Sequence, residues 1–134
     1  MHVEHTIVTG RGPVARIVRT VRILGLTLAV GLTGCHSAYI DSTITNATPQ
    51  PVSLIQVDYP SASFGTQILG PGQNFHYRFK ILGNGPVQLT YTDAAQHEHK
   101  FTGPLLREGN EGKLTALITA KTVQWTPQFT SVNR

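Results

Sequence analysis

Past Cys35 the sequence predicts an all-β fold, a small antiparallel immunoglobulin-like sandwich of about seven strands. Three observations lead there. Gly, Pro, Asn and Asp punctuate the chain every eight to twelve residues or so, and the stretches between them alternate polar with apolar at period two. No window of about ten residues after Cys35 has helical period. Successive side chains on a strand point to opposite faces, so this alternation is what a sheet with one dry face requires.

The elements follow in order. Residues 39–45 make a first strand, and 51–59 a second with Ile55, Val57 and Tyr59 inward. Val52 and Leu54 fall on its other face, so its start is expected to be covered on both sides. Residues 60–66 read as a small polar loop around Phe64, and 69–73, Leu-Gly-Pro-Gly-Gln, as a turn in which Pro71 presets φ. The clearest strand is 75–81: Phe75, Tyr77, Phe79 and Ile81 share one face, while His76, Arg78 and Lys80 share the other. Gly83-Asn84-Gly85 turns into 87–92, with Val87, Leu89 and Tyr91 inward, and these two strands are expected to pair as a hairpin. Residues 92–95 reverse the chain into a strand over 96–102. After the turn at 107–112, Leu114, Ala116 and Ile118 face inward. Val123 and Trp125 extend or cap the sheet, and Pro127 opens a C-terminal tail over 127–134. The predicted boundaries are therefore a leader over 1–34, a tether over 35–42, a sandwich over 43–126 and the tail.

The leader has its own logic. Arg11, Arg16, Arg19 and Arg22 precede an uncharged run over 23–32, and Leu32-Thr33-Gly34-Cys35 closes it at the chain's single cysteine. As a helix, ten residues span about 15 Å, half of a hydrocarbon core of about 30 Å, so a helical signal peptide is expected rather than a permanent span. Leu32-Thr33-Gly34-Cys35 resembles the lipobox of bacterial lipoproteins. That resemblance covers about a quarter of the chain. It implies that a diacylglyceryl group is attached to Cys35, that signal peptidase II recognises Leu32, Thr33 and Gly34 and cuts before Cys35, and that the new amine is acylated, commonly as palmitate. Two or more acyl chains hold a protein durably at a membrane, where one holds it only marginally. A lone cysteine in an exported chain also lacks a disulfide partner within the molecule, and lipidation accounts for it. The basic flank is long for such a signal, so translation is expected to start further in, at Val14, Val18 or Val21, with the same mature chain. The residue after Cys35 is His36 rather than Asp, which in that family points to the outer membrane, facing the periplasm.

Charge narrows the partners. The chain carries a formal charge of +4, but most of it lies in the arginines of the leader. From Cys35 onward seven basic residues face six acidic ones, which leaves no basis for a nucleic-acid partner. The expected partners are the membrane, through the lipid on Cys35, and a protein or envelope component that the sequence does not name. No cofactor is expected, and no Gly-x-Ser-x-Gly elbow, phosphate loop or spare cysteine marks an enzyme. A blue-copper centre needs a Cys thiolate with a Met nearby, and the one Met is Met1. The metal alternative rests on His97 and His99, which a strand would place on one face about 6.5 to 7 Å apart. They need further ligands, with His76, Asp93 and Glu98 as candidates, although Glu98 points to the opposite face. The other reading of this stretch is a polar strand face. Phe64 in its loop and Trp125 beside Pro127 are candidate binding aromatics, and each could equally plug the core. Asn46-Ala47-Thr48 fits the glycosylation triplet but reads as turn chemistry ahead of Pro49.

Overall fold

In the first strand Ile40, Ser42, Ile44 and Asn46 turn inward and Asp41, Thr43 and Thr45 outward, and the same two-residue rhythm recurs through most of the chain. The computed structural model describes residues 36–131. Cys35, its preceding Leu32-Thr33-Gly34 and the expected helical leader lie outside the described residues. The described part contains eight strands, one more than the sequence suggested: β1 Ile40–Asn46, β2 Val52–Tyr59, β3 Ala62–Leu69, β4 Asn74–Phe79, β5 Gly85–Thr92, β6 Glu98–Leu106, β7 Asn110–Ile118 and β8 Val123–Ser131. They form two four-stranded sheets, ordered β4-β1-β7-β8 and β3-β2-β5-β6. Between the sheets lie Ile40, Ile44, Val57, Val87, Leu89, Leu106, Leu114 and Ile118, all close to fully buried.

The two-sheet β-sandwich is as expected, and its connectivity is its own. An immunoglobulin domain orders its sheets A-B-E-D and C-F-G, whereas here the first strand lies between the fourth and the seventh. Pairing is antiparallel throughout except between β1 and β7. The exception follows from the path. Strand β6 ends where β1 begins, and the chain crosses there to the other sheet, so β7 must leave in the direction of β1.

Five expectations are corrected. Strand β4 pairs with β1, not β5. Both faces of the pair are complementary: Ile44 and Ile40 oppose Phe75 and Phe79 inside, while outside Thr43 Oγ1 and His76 Nδ1 lie 2.9 Å apart and Thr45 Oγ1 donates to Asn74 Oδ1 at 2.7 Å. In β2, Leu54 takes the left-handed conformation (φ 49°), and the register with β5 slips between Ser53 and Gln56. This bulge lets Val52 and Ile55, three residues apart, both reach the core, and leaves Leu54 exposed. The polar loop around Phe64 is instead the start of β3, an edge strand in which only Phe64 and Leu69 are buried, too few to show a period. Strand β8 runs through Pro127 to Ser131, so the predicted tail is largely strand; a residue with no N–H is tolerated because β8 is an edge. The folded part begins ahead of the predicted boundary at residue 43, since Ala38 is already buried and β1 begins at Ile40.

One buried polar side chain ties the sandwich together at the end of β1. Asn46 is 0% exposed. Its Nδ2 donates to Gln50 O at 2.8 Å and Leu69 O at 2.9 Å. Its Oδ1 accepts from Thr48 N at 2.9 Å and Thr48 Oγ1 at 2.7 Å. The backbone N–H of Asn46 donates to Gln73 O, and its carbonyl accepts from Gly72 N. The turn reading of Asn46-Ala47-Thr48 thus becomes a junction of both sheets. Replacing Asn46 by Ala strands the buried Leu69 carbonyl and takes the partner from the half-buried Thr48 amide, while the Gln50 carbonyl keeps Thr48 Oγ1; the cost is about 2 kcal/mol. Urea denaturation of the Asn46→Ala chain is expected to show that loss as a lower midpoint with an unchanged slope.

Candidate functional site

Strand directions sort the loops into two groups. Residues 47–51, 70–73, 93–97 and 119–122 gather at the end of the sandwich where β1 finishes, the distal end. There Pro49, Pro51, Tyr91, Asp93, His99 and Ala120 help line a cleft of about 280 Å³. Its walls come from both sheets. The Asn46 bonds to Thr48 and Gln50 hold one wall in place, and a turn built by Asp93 holds the other.

Asp93 follows the last residue of β5 and organises the β5–β6 turn as an Asx-type residue does. Its Oδ1 accepts from Ala95 N at 2.9 Å and from His97 N at 2.9 Å, while its own N–H donates to His97 O. Gln96 completes the reversal at φ 68°. The other oxygen, Oδ2, lies 2.7 Å from His99 Nε2. A carboxylate accepts only, so Nε2 carries a proton and donates it to Asp93 Oδ2. The His99 bond is the chief reason that the Asp93 carboxyl lies below its ordinary range, followed by the His97 amide. His99 is the direct partner of Tyr91 across the β5–β6 pair, and their rings stack with centroids 5.1 Å apart. Phe101 stacks beyond, 6.1 Å from Tyr91. Burial, and then the nearby Asp93 charge, push the Tyr91 phenol up.

His97 does not share a strand face with His99. It lies in the turn, one residue before β6, with its ring largely exposed and Nδ1 3.9 Å from Asp93 Oδ2. His76 belongs to β4 in the other sheet and bonds Thr43. Glu98 alternates with His99 along β6 and faces away from the cleft, as the sequence indicated. Among the described residues no group of three His, Cys, Asp or Glu side chains is placed to hold a metal ion. The Asp93–His99 contact is direct, which leaves no room for an ion between these two atoms.

The two candidate aromatics both pack inward. Phe64 is 8% exposed and stacks on Tyr77 at 4.4 Å, with Phe79 at 5.3 Å and Tyr59 at 6.0 Å. Trp125 closes the opposite edge of the sandwich, where β6 meets β8. A Cβ on Gly103 would come within 2.6 Å of its indole, so only glycine leaves β6 room for the ring. The indole Nε1 is buried with no hydrogen-bond partner among the described residues. Cys35 lies outside the described residues. Tyr91 was assigned to the core by its alternation and belongs to the cleft as well; the one sequence signal for this place is an Asp at the head of a turn two residues before Ala95 and four before His97. Comparison with family models, curated proteins and solved structures returns no match.

Two outcomes are expected. Phe64→Ala destabilises the chain by about 3 to 4 kcal/mol, as removal of a buried aromatic does; equilibrium denaturation reads this directly, and an unchanged midpoint would return Phe64 to the list of binding aromatics. Asp93→Asn keeps the acceptor toward the turn amides but loses the charge. The folded-state pKa of Asp93 is depressed, so its stabilisation is present above the ordinary carboxylate range and is lost as pH falls through the folded value. The difference in melting temperature between wild type and Asp93→Asn should therefore be full near neutral pH and shrink toward acid pH.

Proposed function

We propose that the protein is a bacterial lipoprotein, anchored through acyl chains on Cys35, whose sandwich is a non-catalytic binding or structural module of the cell envelope. The observation that carries the reading is the lipobox-like close of the apolar run, Leu32-Thr33-Gly34-Cys35, three residues ahead of Ala38, where the buried fold begins. A signal that ends there releases a chain with almost nothing to spare between lipid and domain. His36 after the lipidated residue favours the outer membrane. The distal cleft, with its fixed walls, apolar lining and single His–carboxylate pair, is the place where an envelope partner would engage. Both Asp93 oxygens already serve the turn and His99, which suits orientation of a bound group rather than proton transfer.

A second reading, a Zn²⁺- or Cu²⁺-binding envelope protein, rests on His97 and His99 both lying toward Asp93 Oδ2, at 3.9 and 2.7 Å, and requires an ion to replace the direct His99 bond. Stabilisation by Zn²⁺ that disappears in a His97→Ala/His99→Ala chain would support it.

The anchor is tested in the membrane fraction of cells that express the full chain. The N-terminal peptide should begin at Cys35 with added acyl mass, and both features should vanish under a signal peptidase II inhibitor. Cys35→Ser should accumulate as uncleaved precursor. An unmodified Cys35 in a chain that keeps residues 23–34 would overturn the reading.

A further inference from the structure

The other end of the sandwich, the proximal end where the chain enters β1, has a different surface. The β2–β3 turn, the β4–β5 loop and the β6–β7 turn gather there and are fastened to one another. Leu82 N donates to Ser61 Oγ at 3.2 Å, and Glu108 N donates to Asn84 Oδ1 at 2.9 Å. A Cβ on Gly85 would lie 3.1 Å from Pro60 Cγ. On this braced platform Leu82 and Leu105 stand 58% and 54% exposed. Pro86, also exposed, is the register partner of Leu105, so the apolar surface is continuous across β5 and β6. Lys80 and Arg107, both exposed, flank it. The exposure of Leu82 is not loop disorder, since its amide is held.

We propose that this end rests on the lipid surface, with Leu82 and Leu105 in the interfacial layer and Lys80 and Arg107 over lipid phosphates. The inference rests on acylation of Cys35 and goes beyond it, because it assigns a second membrane contact to the folded domain. Chain length supplies the occupant. Only His36 and Ser37 separate Cys35 from Ala38, and three extended steps reach at most about 11 Å. An acylated Cys35 therefore keeps this end against the bilayer. Leu82 and Leu105, each two residues from an exposed cation, suit that boundary, since the leucines leave water while Lys80 and Arg107, with the exposed Glu108 beside Arg107, remain at the headgroups. The distal cleft lies a strand length away, on the order of 25 Å at about 3.3 Å per residue, and is held facing outward.

The test places an environment-sensitive fluorophore on single cysteines in the acylated full chain, at Leu82→Cys, Leu105→Cys and, as the distal reference, Ala95→Cys. The native thiol is blocked by its lipid, so only the introduced one is labelled. Vesicles of phosphatidylethanolamine and phosphatidylglycerol carry lipids with a nitroxide near the headgroup. Probes at 82 and 105 should be quenched several-fold more than the probe at 95. Equal quenching at all three positions overturns the proposal. So do blue-shifted but unquenched probes at 82 and 105, which would mean that a second copy of the chain covers the patch. The mass of Cys35 in the same preparation separates the two failures: an unacylated thiol overturns anchor and orientation together, whereas an acylated one with equal quenching overturns the orientation alone.

Discussion

The bonds of Asn46 are the constraint on which the rest depends. A side-chain amide in a dry interior must use both of its hydrogens and its oxygen or lose more than it contributes. Asn46 meets that demand only when the end of β3, the β1–β2 loop and the end of β1 are all in position, because its partners are Leu69, Gln50 and Thr48. Its backbone adds the β3–β4 turn through Gly72 and Gln73. Two stretches that are separate in sequence, 46–50 and 69–73, are thus satisfied together or not at all. Apolar packing between the sheets supplies most of the driving force for burial, but it is nondirectional. The geometry of one amide is directional, and it specifies how the two sheets meet at this end.

The same constraint shapes the cleft. With residues 47–51 held by Asn46, the wall that carries Pro49 and Pro51 does not depend on a ligand for its form. Asp93 does the matching work on the other side: one oxygen closes the turn, and the other aims His99 across the opening. The stack of His99 on Tyr91 continues the core into the cleft floor, so the imidazole is held by a ring face as well as by a carboxylate. A residue oriented by two independent contacts is preorganised, which is what a binding site on short loops needs.

Much of the fold was legible in the sequence, and unevenly. Strands β5 and β7 were plain because each alternates cleanly: Val87, Leu89 and Tyr91 in one, Leu114, Ala116 and Ile118 in the other. Strand β3 was not, because an edge strand with two buried residues carries almost no period. The bulge at Leu54 was hidden for a different reason. A non-glycine residue at positive φ is strained by about 1 to 3 kcal/mol, and nothing local announces that the surrounding pairs will hold it there. Of the site, the Asp93 turn and His99 were visible as residue types, while the separation of His97 from the strand face depended on how many residues the turn consumed.

Turn chemistry and alternation, read from the sequence alone, determined that residues beyond Cys35 form an all-β sandwich and which positions of its regular strands are dry. Both are local properties of neighbouring residues. Tertiary structure alone decided the partner of each strand. The pairing of β4 with β1 rather than β5, the parallel union of β1 with β7 and the meeting of Pro49, His99 and Ala120 at one cleft join residues many positions apart. Such choices are settled by the fit of whole faces and by the bonds of buried polar groups, which no window of neighbouring residues contains.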